Sequence, residues 1–537
     1  MARVFPQLLP ELADTIVSGL DPNEVPSFRL INKAAAERYR APNQTTFRLS
    51  RPVPPHAFAT HWLAPGATRG LNFRRRRELV RLTAGSGVVA NLEVALQAAG
   101  CPFLYEVFEA AAGAGQLASC QFLLELGFPT SDEGNRGSGL LAAAAGGGHR
   151  HVCEWLLGLG LAWSSDGAAA AARGGHLDLM EWLLERQVPL AAPAGGADGQ
   201  LAQGVAHGCD LPTLQRMWRG GWGELSDRAK GCILAAAGGS PTPDWAAKVE
   251  WLEAQGCPRT DRVGAAATTR PDAPARLAWL RGRGYPLTQH TLWKAVWTGN
   301  EAALQYLLAE VRPESVAGEE AGEEAGEVAV CASLEGRLEA LRALHAAGWP
   351  LLADRCASCA ARNGHLHVVA WLVEALGAEA SLWGPALLAA AAESGSVEVM
   401  AWLRGRGCEW AAGTVFASAA YSGCEAALEW LVERGCPVED GGMALVLACR
   451  NGDLATVRLL RRLGVPWGRG GSLVREAAHG GPLSLLRWLL EAGCPVGDYE
   501  SVRAAAELRT SGKEEALQLL DAHRRGAHGD VAAAAAQ

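Results

Sequence analysis

No uncharged stretch of the 537-residue chain approaches the roughly 18 consecutive apolar residues that a bilayer-spanning helix needs, so no membrane segment is expected. The opening Met1-Ala-Arg-Val-Phe-Pro meets the acidic Glu11 and Asp14 before the apolar core of a secretory signal could form. Without an export signal the fourteen cysteines are expected as reduced thiols rather than a disulfide framework, in the cytosol or nucleus. Also missing are the Gly-x-Ser-x-Gly nucleophile turn, the phosphate-binding loop, the dinucleotide fingerprint and the paired-histidine zinc helix. Lysine is scarce, with Lys33, Lys230, Lys248, Lys294 and Lys513 beside forty-four arginines. Avoidance of self-modification and codon bias explain that scarcity equally well, so it selects no function.

What is present is a chain able to bury a large core, 49% hydrophobic and 20% charged. Glycine (64 residues) and alanine are abundant, which suits tightly packed helices joined by short turns. Net charge is −8, unevenly placed. Residues 1–90 hold thirteen Arg and Lys and six Asp and Glu, or +7, leaving −15 for the remainder and a boundary near position 90. The thinly spread acidity of the longer part argues for no nucleic-acid partner and no membrane partner.

Self-comparison exposes one unit repeated. Gly-His-Leu-Asp-Leu-Met-Glu-Trp-Leu-Leu at 175–184 returns as Gly-His-Leu-His-Val-Val-Ala-Trp-Leu-Val at 364–373 and Gly-Ser-Val-Glu-Val-Met-Ala-Trp-Leu at 395–403. Most copies close five residues after the Trp in Gly, at 100, 127, 160, 187, 221, 256, 284, 311, 348, 377, 407, 435, 464 and 493, with Gln187 and Val311 replacing the Gly. Thirteen intervals from 100 to 493 give a period of about 30. Each unit has an Ala-rich left half, such as 168–172 and 389–392, then a Gly turn. A second helix follows with apolar residues at helical spacing, as in Leu179, Trp182 and Leu183. The closing Gly is a left-handed cap, and neither helix buries its apolar face until units stack.

These residues resemble the ankyrin repeat: Ala-Ala, then Gly-His, a valine-rich step, Leu-Leu and a final Gly. The resemblance implies an all-α, ankyrin-type helix–turn–helix solenoid over 89–525, about fourteen repeats in a Trp-rich variant. Two departures, no Thr-Pro-Leu-His opening and a short period, imply trimmed β-hairpin fingers. Residues 313–328, with a duplicated Ala-Gly-Glu-Glu, are expected as a solvated acidic insertion, and 526–537 as a flexible tail.

At the N-terminus, Leu12, Ile16 and Leu20 share one helix face, Asp21-Pro22-Asn23 is a turn, and a second helix from about Val25 presents Phe28, Leu30 and Ile31. Residues 1–50 are similar to an F-box, the small helical module that docks onto the adaptor subunit of cullin–RING ubiquitin ligases. That resemblance assigns docking to Leu9, Pro10, Leu12, Ile16, Leu20, Val25, Leu30 and Ile31. A helical hairpin capping the first repeat is the alternative. Residues 51–88 form a Pro- and Arg-rich connector, in which Arg74–Arg77 is a solvated helix face or an import signal.

Cys356, Cys359, His365 and His367 have zinc-ligand chemistry, but Cys359 sits at an Ala position of the first helix and His365 is the Gly-His of its repeat. No metal, cofactor or catalytic residue is therefore assigned. Trp155, Trp182, Trp251, Trp279, Trp371, Trp402, Trp430 and Trp488 are expected in the inter-repeat core. Trp163, Trp349, Trp410 and Trp467 follow a closing Gly, and an aromatic ladder of these four would suit a peptide partner.

The function expected is non-enzymatic: recognition of a target protein on the ankyrin face as the substrate adaptor of an SCF-type ubiquitin ligase. A general scaffold is the alternative. A hydrolase acting on lipid or phosphodiester is the remote one, since catalytic sets converge only in space.

Overall fold

The computed structural model describes all residues except 1–9, 32, 131–138, 161–165, 187–196, 313–318, 377–383, 411–412, 439–441, 469, 510 and 536–537. Among the described residues every regular element is helical. The chain divides into two compact units. The first comprises Met1–Ala67, Glu78–Ala99 and Phe103–Val311; the second comprises Thr68–Arg77, Gly100–Pro102 and Arg312–Gln537. No described helix is long and apolar enough to cross a membrane.

Within each unit short helices come in antiparallel pairs, Gly139–Gly146 with Arg150–Gly158 in the first and Thr414–Ser422 with Glu425–Glu433 in the second. First helices lie closest where their contact positions hold Ala and Gly. Ala168, Ala171 and Ala172 are buried, and a Cβ at Gly208 would stand 2.1 Å from the Ala172 carbonyl oxygen. That approach leaves no room for even a methyl group. Second helices start on side-chain caps where the chain supplies them: Asp210 accepts from Thr213 N, Asn300 from Ala303 N and Asp453 from Thr456 N. They end where expected. The described glycines at the closing positions, Gly100 to Gly493, have φ between 58° and 114°, the left-handed region that turns the chain back at no steric cost. Val311 instead ends its helix in extended backbone.

The tryptophan column is displaced from its expected place. The residue after each Trp fills the core: Leu156, Leu252, Leu280, Leu403, Leu431 and Leu489 are fully buried. Trp155, Trp251, Trp279, Trp371, Trp402, Trp430 and Trp488 are half-buried, and of this column only Trp182 is buried. At 100° per residue two neighbours cannot both point at the centre, and the smaller Leu fits the narrow gap between repeats.

The expected acidic insertion and tail carry helix. Glu319–Leu334 is the first helix of a pair, with Ala325, Val328 and Ala329 buried, and the last helix runs from Lys513 to Ala535. The N-terminal module packs Val25, Phe28 and Tyr39 together with Val17, Leu20 and Ala35 around them. Asn23, wholly buried, takes Arg48 N on its Oδ1 and donates its amide to the carbonyls of Arg48, Arg51 and Pro52. Of the residues assigned to docking, Val25 is core and Leu20 half-buried, whereas Leu12, Ile16, Leu30 and Ile31 are exposed (51%, 38%, 87% and 43%). Leu9 and the side chain of Pro10 lie outside the described residues.

Candidate functional site

Part of the second-helix Trp column carries arginine stacked on indole. In four repeats the Trp is followed four residues later by Arg, one helical turn on, so the guanidinium lies over the ring. Its carbon is 4.3 Å from the ring centroid for Arg186 on Trp182, 4.9 Å for Arg283 on Trp279, 3.7 Å for Arg406 on Trp402 and 5.8 Å for Arg434 on Trp430. Each stack joins a permanent cation to the negative face of an indole, worth about 0.5–1 kcal/mol at an exposed site. Arg150 and Arg458 add a stack from the preceding repeat, on Trp182 and Trp488.

Two of the loop tryptophans join the same arrangement. Arg404 lies 4.2 Å from the Trp410 centroid and Arg461 lies 4.0 Å from that of Trp467, and each donates to the carbonyl ending its own turn, Cys408 and Val465. The indoles then meet the next second-helix Trp, Trp410 edge-on to Trp430 at 6.3 Å and Trp467 tilted against Trp488 at 6.0 Å. Trp349, expected beside them, is 3% exposed and has left the surface. Trp163 lies outside the described residues. Of the three described, Trp410 and Trp467 are half-exposed and Trp349 is buried, and an arginine over the ring marks the half-exposed pair.

A second polar row runs along the turns. In the first unit His151 Nε2 is 3.0 Å from the Gly115 carbonyl oxygen, one repeat back. Asn300 donates to the carbonyls of Thr268 (2.9 Å) and Arg270 (2.8 Å), and Arg276 to those of Gly238 (3.0 Å) and Ser240 (2.8 Å). Lys248, with no exposed surface, donates to the carbonyls of Ala206 (2.7 Å) and Cys209 (2.8 Å) and to Ser240 Oγ (2.8 Å). Burial pushes its ammonium down to about 8. Each donor satisfies carbonyls that a helix end leaves open, so the turns are locked to their predecessors.

In the second unit His365 and His367 serve the same purpose toward the carbonyls of Leu334 (3.1 Å) and Gly336 (3.0 Å). Their rings are thus committed to the preceding turn, away from Cys356 and Cys359, and no set of three or more metal-ligating side chains gathers among the described residues. The thiols of the Gly-Cys-Pro turns, Cys257, Cys436 and Cys494, are buried, which pushes each up to about 11 and keeps it protonated. Sequence reading missed the stacked arginines, although Trp-x-x-x-Arg is visible at 182–186, 279–283, 402–406 and 430–434.

No protein-family model and no curated protein matches the chain. Among solved structures it is similar to the pentatricopeptide repeat protein PPR10 in complex with an 18-nt psaJ RNA element, at 13% identity and a TM-score of 0.21, covering 96% of this chain and 99% of that one. Similarity to PPR10 from maize alone has 12% identity, a TM-score of 0.18 and coverage of 96% and 97%. This corrects two expectations, the target-recognising ubiquitin-ligase adaptor and the absence of a nucleic-acid partner: the similar structures are pentatricopeptide repeat proteins, two of them holding RNA. At these TM-scores the chain paths do not superpose, and what this chain binds rests on its own residues.

Proposed function

We propose that this chain is a non-catalytic helical-repeat protein that holds single-stranded RNA against the second-helix face of its repeats. The observation that carries the reading is the recurrence of guanidinium-on-indole stacks at the repeat spacing, Trp402 with Arg406 and Trp430 with Arg434 lying 28 residues apart. Where the guanidinium over the indole is exposed, as at Arg406 and Arg434, it presents a cationic surface to solvent, whereas Arg283 is ion-paired with Glu250 and Glu253. Unpaired bases stack on aromatic and arginine planes whatever their sequence, at about 1–3 kcal/mol per base by alanine substitution. The chain's net charge of −8 limits phosphate attraction to these local plates, so binding rests on stacking and is only modestly sensitive to salt. Assignment of the repeats to the ankyrin type belongs to the same proposal and is supported by the turn histidines that reach one repeat back.

The test is anisotropy of a labelled, mixed-sequence single-stranded RNA with the full chain at two salt concentrations. Replacing Arg406, Arg434 and Arg461 together by Ala should weaken binding by more than about tenfold, as lost stacking on several bases requires. Arg362→Ala, on a first helix and paired with Glu393, should leave it unchanged. RNA that does not bind even at low salt, or that binds the triple variant equally, overturns the proposal.

A further inference from the structure

Residues 69–76 sit in the second unit as a ligand sits in a site. Their side-chain hydrogen-bond partners there, Glu429, Ser394 and Asp453, lie more than 300 positions away in the chain. The Arg69 carbonyl accepts the Ala426 N–H at 3.0 Å, a donor that the first turn of the helix Glu425–Glu433 leaves open, and the Cys424 thiol donates to the same oxygen at 3.6 Å. Arg69 Nε donates to Glu429 at 2.7 Å, and the Asn72 amide donates to the Ser394 carbonyl at 2.8 Å.

The anchor is Arg76. Its guanidinium donates to both Asp453 oxygens, at 3.2 and 2.5 Å, and to the Gly423 carbonyl at 3.1 Å. The two side chains are 5% and 1% exposed. Burial by itself would lower the Arg76 pKa, and the Asp453 carboxylate beside it overcomes this and raises it. Asp453 takes Thr456 Oγ1 on its second oxygen at 2.6 Å. Gly423, at φ +68°, keeps the pocket open, since a Cβ there would stand 2.6 Å from Asp453 Oδ2.

We infer that the turn edge from Ser394 to Thr456 is an arginine-selective peptide-docking site, occupied in this chain by its own residues 69–76. The selection rule is chemical. An empty pocket would leave Asp453 buried as an unpaired charge, and a planar fork matches a carboxylate with two parallel bonds where a lysine ammonium offers a point charge. The neighbouring contacts fit any extended segment that brings a main-chain carbonyl to Ala426 N–H. The strap is a cis occupant that the same segment of a second copy of this chain can replace.

The test uses the full chain and a labelled peptide of residues 66–79. Arg76→Ala empties the anchor pocket while leaving the site intact, so it should bind the peptide more than about tenfold tighter than the unaltered chain does, the scale set by one desolvated charge pair. Asp453→Asn keeps an N-cap for the helix Leu454–Arg462 and removes the charge. The chain with both substitutions should lose the gain, and so should a peptide carrying Lys in place of its Arg76. Equal binding by the unaltered and Arg76→Ala chains, or binding indifferent to Asp453, overturns the inference. If Arg76→Ala does not fold, hydrogen exchange of the Arg76→Lys chain decides: faster exchange confined to residues 69–76 and the Ala426 amide supports a strap, and uniform loss across the second unit refutes it.

Discussion

The turns of the first unit and the turn at Gly423 in the second are closed in two ways. In the first unit the open carbonyls of three turns are met by a donor from the next repeat, 30 to 42 residues away: Asn300, Arg276 and Lys248. In the second unit the repeat after the Gly423 turn still sends Asn451 to the Tyr421 carbonyl, but its capping residue is Asp453, an acceptor, and the cation that meets it arrives from 377 residues away as Arg76. A periodic solution costs the chain nothing in connectivity, because each repeat already abuts the last. A remote one has to bring in a distant segment, and it leaves an obligatory charge pair behind.

That contrast can be broken most sharply at Arg76. Arg76→Ala leaves Asp453 buried and unpaired, so denaturant unfolding of the second unit should lose about 3–5 kcal/mol. Replacing both residues by apolar ones of similar size should recover most of that. A loss from Arg76→Ala no larger than that of a surface arginine would mean the pair is no anchor.

Lys248→Met comes next, because it strips a donor from the carbonyls of Ala206 and Cys209 and from Ser240, for about 2–3 kcal/mol near neutral pH. It also has a pH signature. The folded ammonium titrates near 8, below its ordinary 10.5. Between those values the unfolded chain binds the proton and the folded chain does not, so stability rises with pH, by at most about 1.4 kcal/mol per unit. Comparing unfolding of the unaltered chain and Lys248→Met from pH 7.5 to 10 should show the stability of the former gaining relative to the latter as pH rises, whatever slope the buried thiols impose on both.

Asn300→Ala removes one cap and two donors at once and should cost about 1–2 kcal/mol. His367→Ala, which removes an exposed latch in the second unit, should cost about 0.5–1 kcal/mol. If the histidine matched Arg76 in size, local and remote latches would be energetically alike and the contrast would fail.

How much was legible follows the same division. The closing glycines and the Ala-rich first helices could be placed because each recurs at a fixed step and its conformation is decided within a few residues, whereas the Trp column, expected in the core, is half-buried except at Trp182. The fate of the loop tryptophans was misjudged for want of one more local comparison. Six residues before Trp410 and Trp467 stand Arg404 and Arg461, which hold those rings at the surface; six before Trp349 stands Ala343, and that ring is buried. Arg74–Arg77 had no such key. Arg76 is buried and ion-paired and Arg74 and Arg75 exposed, although the tetrad reads as four equivalent cations.

From sequence alone the stacked helical pairs, their period and their capping turns were determined, since each is a short-range preference repeated until it is unambiguous. Which guanidinium lies on which indole across repeats, which tryptophan is covered, and which distant cation meets Asp453 were decided only by the tertiary structure. Those contacts depend on the distance between residues far apart in the chain, and no local spacing encodes that distance.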